Sequence, residues 1–208
     1  MKKNIYIIRH GQTEYNKKLI VQGQKIDADL NETGRKQAED FYQKYKNVPF
    51  DRIYTSELKR THQSVAPFLK KGIKHTILSD LNEMNWGVFE GEPLVGEIYR
   101  QVSEIIVRWK NGDYNVKAGE GESPIEALQR MKSAFNTIFN ENDDENILVC
   151  MHGRVLRILM CHFTGKQLRN MDDFALHNLG LYRIEYDTQT EKVDVKLYCD
   201  TSHLLTEK

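Results

Sequence analysis

Two histidines of this sequence each follow an apolar run and precede a glycine. His10 follows residues 5–9, which end in an arginine, and His152 follows residues 147–151. Apolar runs of this length indicate buried strands, and open α/β sheets bind ligands outside the carboxyl ends of their strands. The two imidazoles are therefore predicted to meet at one edge of a sheet, with the guanidinium of Arg9 beside them.

Two further predicted strands end beside groups of matching chemistry. The strand predicted at 52–55 is followed by Ser56, a candidate N-cap, and Arg60 lies one turn into the next helix. A strand predicted at 76–81 is followed by the carboxyl group of Glu83. Two histidines, two arginines, one carboxyl group and a helix N-terminus together suit a phosphoryl group.

Each of these residues has a simpler interpretation when it is taken alone. His10 or His152 could be a hydrogen-bonded structural histidine, and Arg60 could be a surface ion-pair partner. The matched strand ends favour the functional interpretation of the histidines, and the place of Arg60 just after a predicted strand end favours it for that arginine. For Glu83, an acidic residue in a predicted loop, position alone does not decide.

The sequence predicts neither a metal site nor a cofactor. His152 and His162 lack a third ligand at useful spacing. Glycines 119 and 121 suggest a dinucleotide loop, but Pro124 occupies the last glycine position of that motif and no strand precedes it. We therefore expect a reaction carried by side chains alone.

The elements that must position these groups alternate along the chain, with short apolar runs followed by amphipathic segments. This alternation is typical of an α/β fold. Residues 181–186 and 193–198 alternate apolar and polar side chains, which predicts an antiparallel hairpin. The predicted fold is a three-layer α/β/α sandwich with a mostly parallel central sheet and an antiparallel edge hairpin. Helices are predicted after Asn31, after Ser56, near 97–110, after Ser123 and after Gly153.

No linker divides the chain, so residues 1–208 are predicted to form a single domain. Residues 84–122 follow Glu83 and separate two core elements, which predicts a lid over the site. Ser123, Pro124 and Glu126 form the start signal of the next helix, with an N-cap, a proline at the first helical position and a capping box.

Composition argues against several classes of protein. Lys plus Arg and Asp plus Glu are both 30, so there is no net charge to attract nucleic acid or an anionic membrane. Cys150, Cys161 and Cys199 have no metal-ligand spacing, and no run approaches the roughly 20 apolar residues that span a bilayer. We expect a cytoplasmic protein with a small phosphorylated substrate as its partner. Its C-terminal edge strands can support a homodimer, although nothing requires one.

The candidate residues stand in motifs that follow one another in a fixed order. This ordered set resembles the histidine phosphatase superfamily, which includes the cofactor-dependent phosphoglycerate mutases. The first triplet alone would be a weak match, whereas the set spans nearly the whole chain and is specific. The motifs are Arg9-His10-Gly11-Gln12-Thr13 with Asn16, Ser56 with Arg60, Glu83 before Trp86-Gly87, and His152-Gly153.

The resemblance implies a role for each residue. His10 would attack phosphorus and form a phosphohistidine. Arg9, Arg60 and His152 would hold the nonbridging oxygens without a metal. Glu83 would protonate the leaving alkoxide and then deprotonate the attacking water or alcohol. Further contacts to phosphate or substrate are implied for Asn16, Gln22, Gly23 and Gly153.

The stretch after Glu83 separates phosphatases from mutases within the family. Mutases carry Glu-Arg-His-Tyr-Gly there, and this chain has Met84 in place of the arginine and Trp86 in place of the tyrosine. Met84 cannot pair with a carboxylate, and Trp86 offers only an N–H donor. The resemblance therefore implies a phosphatase of the phosphoglycerate mutase-like type, acting on a small phosphorylated metabolite, with a mutase as the alternative.

Two questions about the substrate stay open at the level of sequence. The aromatic residues Trp86, Tyr99 and Trp109 would favour an apolar or ring-bearing leaving group, but simple packing explains each of them equally well. A protein that binds a phosphorylated ligand without turnover is the alternative from a different class. The presence of the complete set of reactive residues argues against it.

Overall fold

The computed structural model describes residues 1–140 and 143–204. Three 3₁₀ helices, at Ser79–Leu81, Gly87–Phe89 and Leu168–Asp173, connect longer elements. The strands are β1 (Lys2–Arg9), β2 (Arg52–Thr55), β3 (Lys74–Ile77), β4 (Asn146–Met151), β5 (Leu181–Asp187) and β6 (Lys192–Asp200). The helices are α1 (Glu14–Lys17), α2 (Glu32–Tyr45), α3 (Lys59–Leu69), α4 (Gly96–Lys110), α5 (Pro124–Asn140) and α6 (Gly153–Thr164).

The six described strands form one sheet in the order β3-β2-β4-β1-β5-β6. The pairs β3-β2, β2-β4 and β4-β1 are parallel, whereas β5 runs antiparallel to β1 and β6 antiparallel to β5. The predicted mostly parallel sheet with an antiparallel edge hairpin is therefore confirmed. Across residues 1–140 and 143–204, no helix is long and apolar enough to cross a membrane.

Successive residues of the central strands face opposite layers, because side chains alternate across a strand. In β1, Ile7 packs with residues of α5 and α6 such as Met131 and Leu159, whereas Ile8 packs with Phe41 of α2 and residues of α3. Helices therefore cover both faces of the sheet, as the three-layer prediction requires. The strand β4 lies in the middle and its residues Ile147–Met151 are fully buried, which explains its unbroken apolar run.

One predicted strand is wrong in its bounds. The strand expected at 76–81 begins earlier, as Lys74–Ile77, and Ser79–Leu81 is a 3₁₀ turn instead. Two features explain the shift: β3 pairs with only the four residues of β2, and the chain must then turn to bring Glu83 back over the sheet edge. The buried Leu81 is part of the core from this turn and not from a strand.

The two helix starts that were predicted from caps differ in outcome. At α5 the capping box is present, since Glu126 N donates to Ser123 Oγ at 3.3 Å and Ser123 N donates to Glu126 Oε2 at 2.8 Å. At α3 the prediction is wrong, because the helix begins at Lys59 with Leu58 as its N-cap residue. Ser56 is instead directed toward a histidine of the sheet edge.

Residues 84–122 contain α4 and a small apolar cluster of their own, centred on Phe89, Val102 and Ala118. Backbone hydrogen bonds tie this segment to residues 19–21. Val21 N donates to Glu92 O at 2.9 Å, Gly91 N to Val21 O at 2.9 Å, and Leu94 N to Leu19 O at 2.8 Å. Residues 19–21 and 91–94 thus form a short two-stranded ribbon, here called the lid ribbon.

Candidate active site

His10 stands directly after β1, at the carboxyl end of the parallel part of the sheet. Its backbone N–H donates to Met151 O at 3.0 Å, which continues the β1-β4 pairing by one residue. Its Nδ1 lies 2.7 Å from Gly11 O. Because a carbonyl oxygen can only accept, Nδ1 carries the proton and Nε2 keeps its lone pair. Burial, and after it the charges of Arg60 and Arg9, hold the pKa of His10 well below its usual value.

His152 follows β4, and the parallel register of Arg9 with Met151 brings it beside His10. The two ring centroids lie 5.2 Å apart. Nδ1 of His152 accepts from Arg60 Nε at 3.2 Å, so Nε2 is the protonated nitrogen and donates to Ser56 Oγ at 2.8 Å. Burial and the charge of Arg60 keep the pKa of this histidine well below its usual value. Both ring nitrogens are therefore engaged within the protein.

Arg60 is fully buried under the loop that precedes α2. It donates through Nη1 to Ile26 O at 2.6 Å and through Nη2 to Gly23 O at 3.2 Å. With its amide oxygen facing the guanidinium, Gln22 accepts from Arg60 Nε at 2.8 Å, so this N–H is shared between Gln22 and His152. Burial lowers the pKa of Arg60 to about 10, although nearby Glu83 favours the charged form. Gln22 and Gly23, both predicted to contact phosphate, are thus placed as supports of this arginine.

Arg9 packs against the first residue of α6. A Cβ on Gly153 would lie 2.6 Å from Leu176 Cδ2 and 3.3 Å from Arg9 Nε, so a larger residue would require both of these side chains to shift. Among the described residues, Nε of Arg9 is buried and has no hydrogen-bond partner. A buried guanidinium N–H with no protein acceptor is a strong donor for an anionic oxygen. Gly153 therefore serves the site by leaving room for Arg9.

Glu83 is brought to the site by the turn after β3, and its side chain is buried at the start of α6. Its carboxylate accepts from Met84 N at 2.8 Å, from Arg154 N at 3.2 Å and from Val155 N at 3.3 Å. Two of these donors belong to the first turn of α6. Glu83 favours the charged forms of both Arg9 and Arg60.

Asn16 belongs to the rim of the site. It closes a reciprocal capping box with Thr13 at the start of α1, and its Oδ1 accepts from Asn178 Nδ2 at 3.4 Å. Asn178 also donates to the carbonyl oxygen of His10 at 2.9 Å. The sequence analysis missed Asn178, which lies in an irregular loop 168 positions from His10. No periodicity or motif marks such a residue.

Arg130 is a second residue that the sequence analysis missed. From α5 it donates to the carbonyl oxygens of Asp80 at 2.8 Å, Asn82 at 2.7 Å and Glu83 at 3.1 Å. The same guanidinium pairs with both carboxylate oxygens of Glu122, at 2.6 and 2.7 Å. The sequence did contain one indication of this role, because an arginine beside the predicted apolar stripe of α5 would be half-buried. A half-buried charge needs hydrogen-bond or ion-pair partners.

The structure therefore brings His10, Arg9, Arg60, His152 and Glu83 together at one sheet edge, with Gly153 inside the same cluster. Gln22 and Gly23 contact the site through Arg60, and Asn16 lies at its rim. Within residues 1–140 and 143–204, no group of three or more His, Cys, Asp or Glu side chains could hold a metal ion. The arrangement offers a neutral nucleophilic imidazole, two cations and a carboxyl group.

Comparisons with known proteins agree with this geometry. The sequence model of the histidine phosphatase superfamily (branch 1) matches residues 5–199. A protein of Hydrogenobacter thermophilus named as a phosphoserine phosphatase is 26% identical over 204 residues, covering 97% of this chain and 99% of its own. One of Yersinia pestis named as a phosphoglycerate mutase is 29% identical over 184 residues, covering 88% and 84%. The solved structure of Bacillus stearothermophilus YhfR superposes with a TM-score of 0.85 at 27% identity, covering 97% and 98%.

Proposed function

Since this chain belongs to the histidine phosphatase superfamily, we propose that it hydrolyses small phosphomonoesters through a phosphohistidine on His10. The observation that carries the proposal is the state of His10. A carbonyl oxygen fixes its Nδ1–H, and burial together with the charges of Arg60 and Arg9 keeps the ring neutral. A neutral imidazole with a free Nε2 is the form that can attack phosphorus.

In the first step, Nε2 of His10 forms a bond to phosphorus while the ester P–O bond breaks. Glu83 enters this step as the neutral acid and gives its proton to the leaving alkoxide, and Gly11 O stabilises the positive charge that develops on the ring. Arg9 and Arg60 contact the nonbridging oxygens, whose charge is spread over three atoms in the transition state. His152 reaches the same oxygens only by exchanging its bonds to Arg60 and Ser56.

In the second step, water attacks the phosphohistidine and the N–P bond breaks. Glu83, left ionised by the first step, takes the proton of that water. Inorganic phosphate is released and His10 returns to its neutral form. A single carboxyl group thus serves both steps, because each step restores the protonation state that the other requires.

The residues after Glu83 favour hydrolysis over mutase activity. Met84 is fully buried in the main core, so its side chain offers nothing to a substrate carboxylate. The likeness to a protein named as a mutase keeps isomerisation of 3-phosphoglycerate as the alternative. The test is a panel of phosphomonoesters beside 3-phosphoglycerate with its bisphosphate. Isomerisation much faster than phosphate release would replace the phosphatase assignment.

The phosphohistidine can be trapped directly. Protein mixed with a 32P-labelled substrate and quenched in alkaline denaturant, in which the N–P bond survives, should retain label. We expect the label to be lost in His10→Ala and kept in His162→Ala, a matched change at an exposed histidine of α6. Turnover that persists in His10→Ala would contradict the mechanism. Tight phosphate binding without label or turnover would favour the noncatalytic alternative.

We also propose that the reaction needs no divalent metal. Arg9 and Arg60 supply two positive charges where the phosphoryl oxygens would lie, which is the task that Mg²⁺ performs in other phosphoryl-transfer enzymes. We expect EDTA to leave kcat and KM unchanged within about twofold. Loss of activity that added Mg²⁺, Mn²⁺ or Zn²⁺ restores would overturn this proposal.

The buried free thiols of Cys150 and Cys161 suit a reducing compartment, and we place the enzyme in the cytoplasm.

A further inference from the structure

A chamber lined by both apolar and polar side chains opens beside the proposed phosphate clamp. Two adjoining cavities of about 300 Å³ and 210 Å³ both have Arg9 and Asn16 in their lining. They also share Ile20, Val21 and Leu94, which belong to the lid ribbon. The combined space is on the scale of small-ligand pockets. Because both cavities reach Arg9, the alcohol part of a phosphomonoester bound at this arginine can extend into them.

The outer walls of this chamber come from residues 84–122. Val102 and Ile106 face it from α4, and Trp86 faces it from the turn after Glu83. Val102 is buried and Ile106 is half-buried, and both belong to the apolar cluster of this segment. We propose that the segment is a lid and that its cluster continues into the chamber wall. A leaving group in the chamber would therefore complete an apolar contact surface.

The charges of the chamber limit what it can bind. Of the described residues lining the two cavities, Arg9 and Arg154 are the charged ones, and none is acidic. Arg154 is committed in part, since its Nη1 donates to Asp172 at 2.9 Å and its guanidinium lies 5.7 and 5.8 Å from the rings of Trp86 and Trp109. An amino group in the chamber would meet no carboxylate, and a carboxylate would compete with Asp172 for Arg154.

We propose that this chamber selects phosphomonoesters of apolar alcohols over those of amino acids and hydroxy acids. The inference rests on the proposed phosphatase activity and names its substrate class. The specificity-determining residues are Ile20, Leu94 and Ile106, which offer aliphatic side chains to the leaving group. The phosphoryl group binds at Arg9 and Arg60, and the alkyl or aryl body of the substrate fills the space under the lid.

The test is a series of unbranched alkyl phosphates from ethyl to hexyl, compared with phosphoserine and 3-phosphoglycerate. These alcohols differ little in reactivity, so a change in kcat/KM reports contact with the chamber. Each methylene that becomes buried should raise kcat/KM by roughly threefold to fourfold. An increase of tenfold or more from ethyl to pentyl phosphate supports the inference. A smaller increase, or a higher kcat/KM for phosphoserine or 3-phosphoglycerate than for pentyl phosphate, overturns it.

Matched variants locate the effect in the chamber. Ile20→Asn and Leu94→Asn should each lower kcat/KM for pentyl phosphate about tenfold and change that for ethyl phosphate less than threefold. Val107→Asn, an exposed position next to Ile106 on α4, should change neither. Equal losses for both substrates would overturn the assignment of these residues. If wild-type protein releases phosphate from none of these compounds or from other phosphomonoesters, the proposed phosphatase function itself fails and the inference falls with it.

Discussion

At the scale of single residues, the position of Glu83 decides what it can do. Its carboxylate is held by three backbone N–H groups, two of them from the first turn of α6. These contacts fix the side chain beside the arginines and leave it no rotamer freedom to lose when substrate binds. A group held in this way is suited to move a proton at one place in the site.

The role of Glu83 as an acid can be tested by comparing substrates whose leaving groups differ in their need for a proton. Glu83→Gln should lower kcat for an alkyl phosphate by about 10²-fold to 10⁴-fold, the usual contribution of a general acid. For p-nitrophenyl phosphate the leaving group needs no proton. The rate constant for formation of the phosphohistidine from this substrate should therefore fall by less than about tenfold. The measurement is the pre-steady-state burst of alcohol release with each substrate. An equal loss in both bursts would assign Glu83 a structural role.

The residues that the sequence revealed differ in kind from those that it did not. His10 and His152 were predicted to meet because each ends an apolar strand, and parallel strands end at one edge. The contact of Ser56 with His152 was not predicted, because a serine before a helix is ordinarily read as its cap. Asn178 acts on the backbone of His10 through tertiary proximity alone.

At the scale of elements, Arg130 joins α5 to the turn that carries Glu83. Its bonds to the carbonyl groups of Asp80, Asn82 and Glu83 hold the turn, and Glu122 compensates its charge. The site thus depends on a helix that contributes no residue to the proposed reaction. Arg130 is a positioning residue whose effect must pass through Glu83.

Arg130→Lys should therefore show part of the kinetic effect of Glu83→Gln. A lysine has three N–H donors on one nitrogen and cannot reproduce the five hydrogen bonds that the guanidinium of Arg130 makes. We expect kcat for alkyl phosphates to fall about tenfold to 100-fold with little change in KM, and the burst with p-nitrophenyl phosphate to change less than threefold. Arg100→Lys, at an exposed arginine of α4, is the control. A uniform loss with both substrates would mean that Arg130 only stabilises the fold.

Elements were predictable where their signals are local. The capping box of α5 and the alternation in β5 and β6 each lie within a few residues, and both are confirmed. The strand β3 was misplaced because its length is set by its partner β2, which the sequence of β3 does not reveal. The links made by the lid ribbon join residues about 70 positions apart, beyond the reach of any local pattern.

At the scale of the whole molecule, the buried histidines make stability depend on pH. The folded state keeps His10 and His152 neutral, because burial disfavours the charged rings and the cations Arg9 and Arg60 lie beside them. In the unfolded chain both histidines take up a proton near pH 6.5. The unfolded state then binds more protons, so this part of the stability is complete above pH 6.5 and is lost as pH falls below it.

Denaturant unfolding at several pH values measures this effect. Between pH 6 and pH 5, one such histidine changes the free energy of unfolding by up to about 1.4 kcal/mol per pH unit. His10→Gln should therefore show a shallower loss of stability over this range than wild type, by about 1 kcal/mol per pH unit. His177→Gln, at an exposed histidine, should keep the wild-type slope. Equal slopes for His10→Gln and wild type would show that His10 accepts a proton in the folded protein.

The overall architecture and the family were the most secure predictions from sequence. The family resemblance and the sheet with its edge hairpin are confirmed by the comparisons and the structure. The fold prediction and the family resemblance depend on features spread over most of the chain. Misinterpreting any one residue therefore has little effect on either of them. The roles of single side chains depend on distances of a few ångströms and stay predictions until the variants are measured.

The lid ribbon joins two parts of the molecule that would otherwise move separately. Residues 91–94 cannot swing outward without breaking three backbone hydrogen bonds or drawing residues 19–21 with them. The next residues along the chain, Gln22 and Gly23, are those that brace Arg60. We therefore expect outward motion of the proposed lid to disturb the position of Arg60. In the proposed reaction, release of the product and loosening of Arg60 would then occur together, and the strength of one short ribbon would limit the turnover rate.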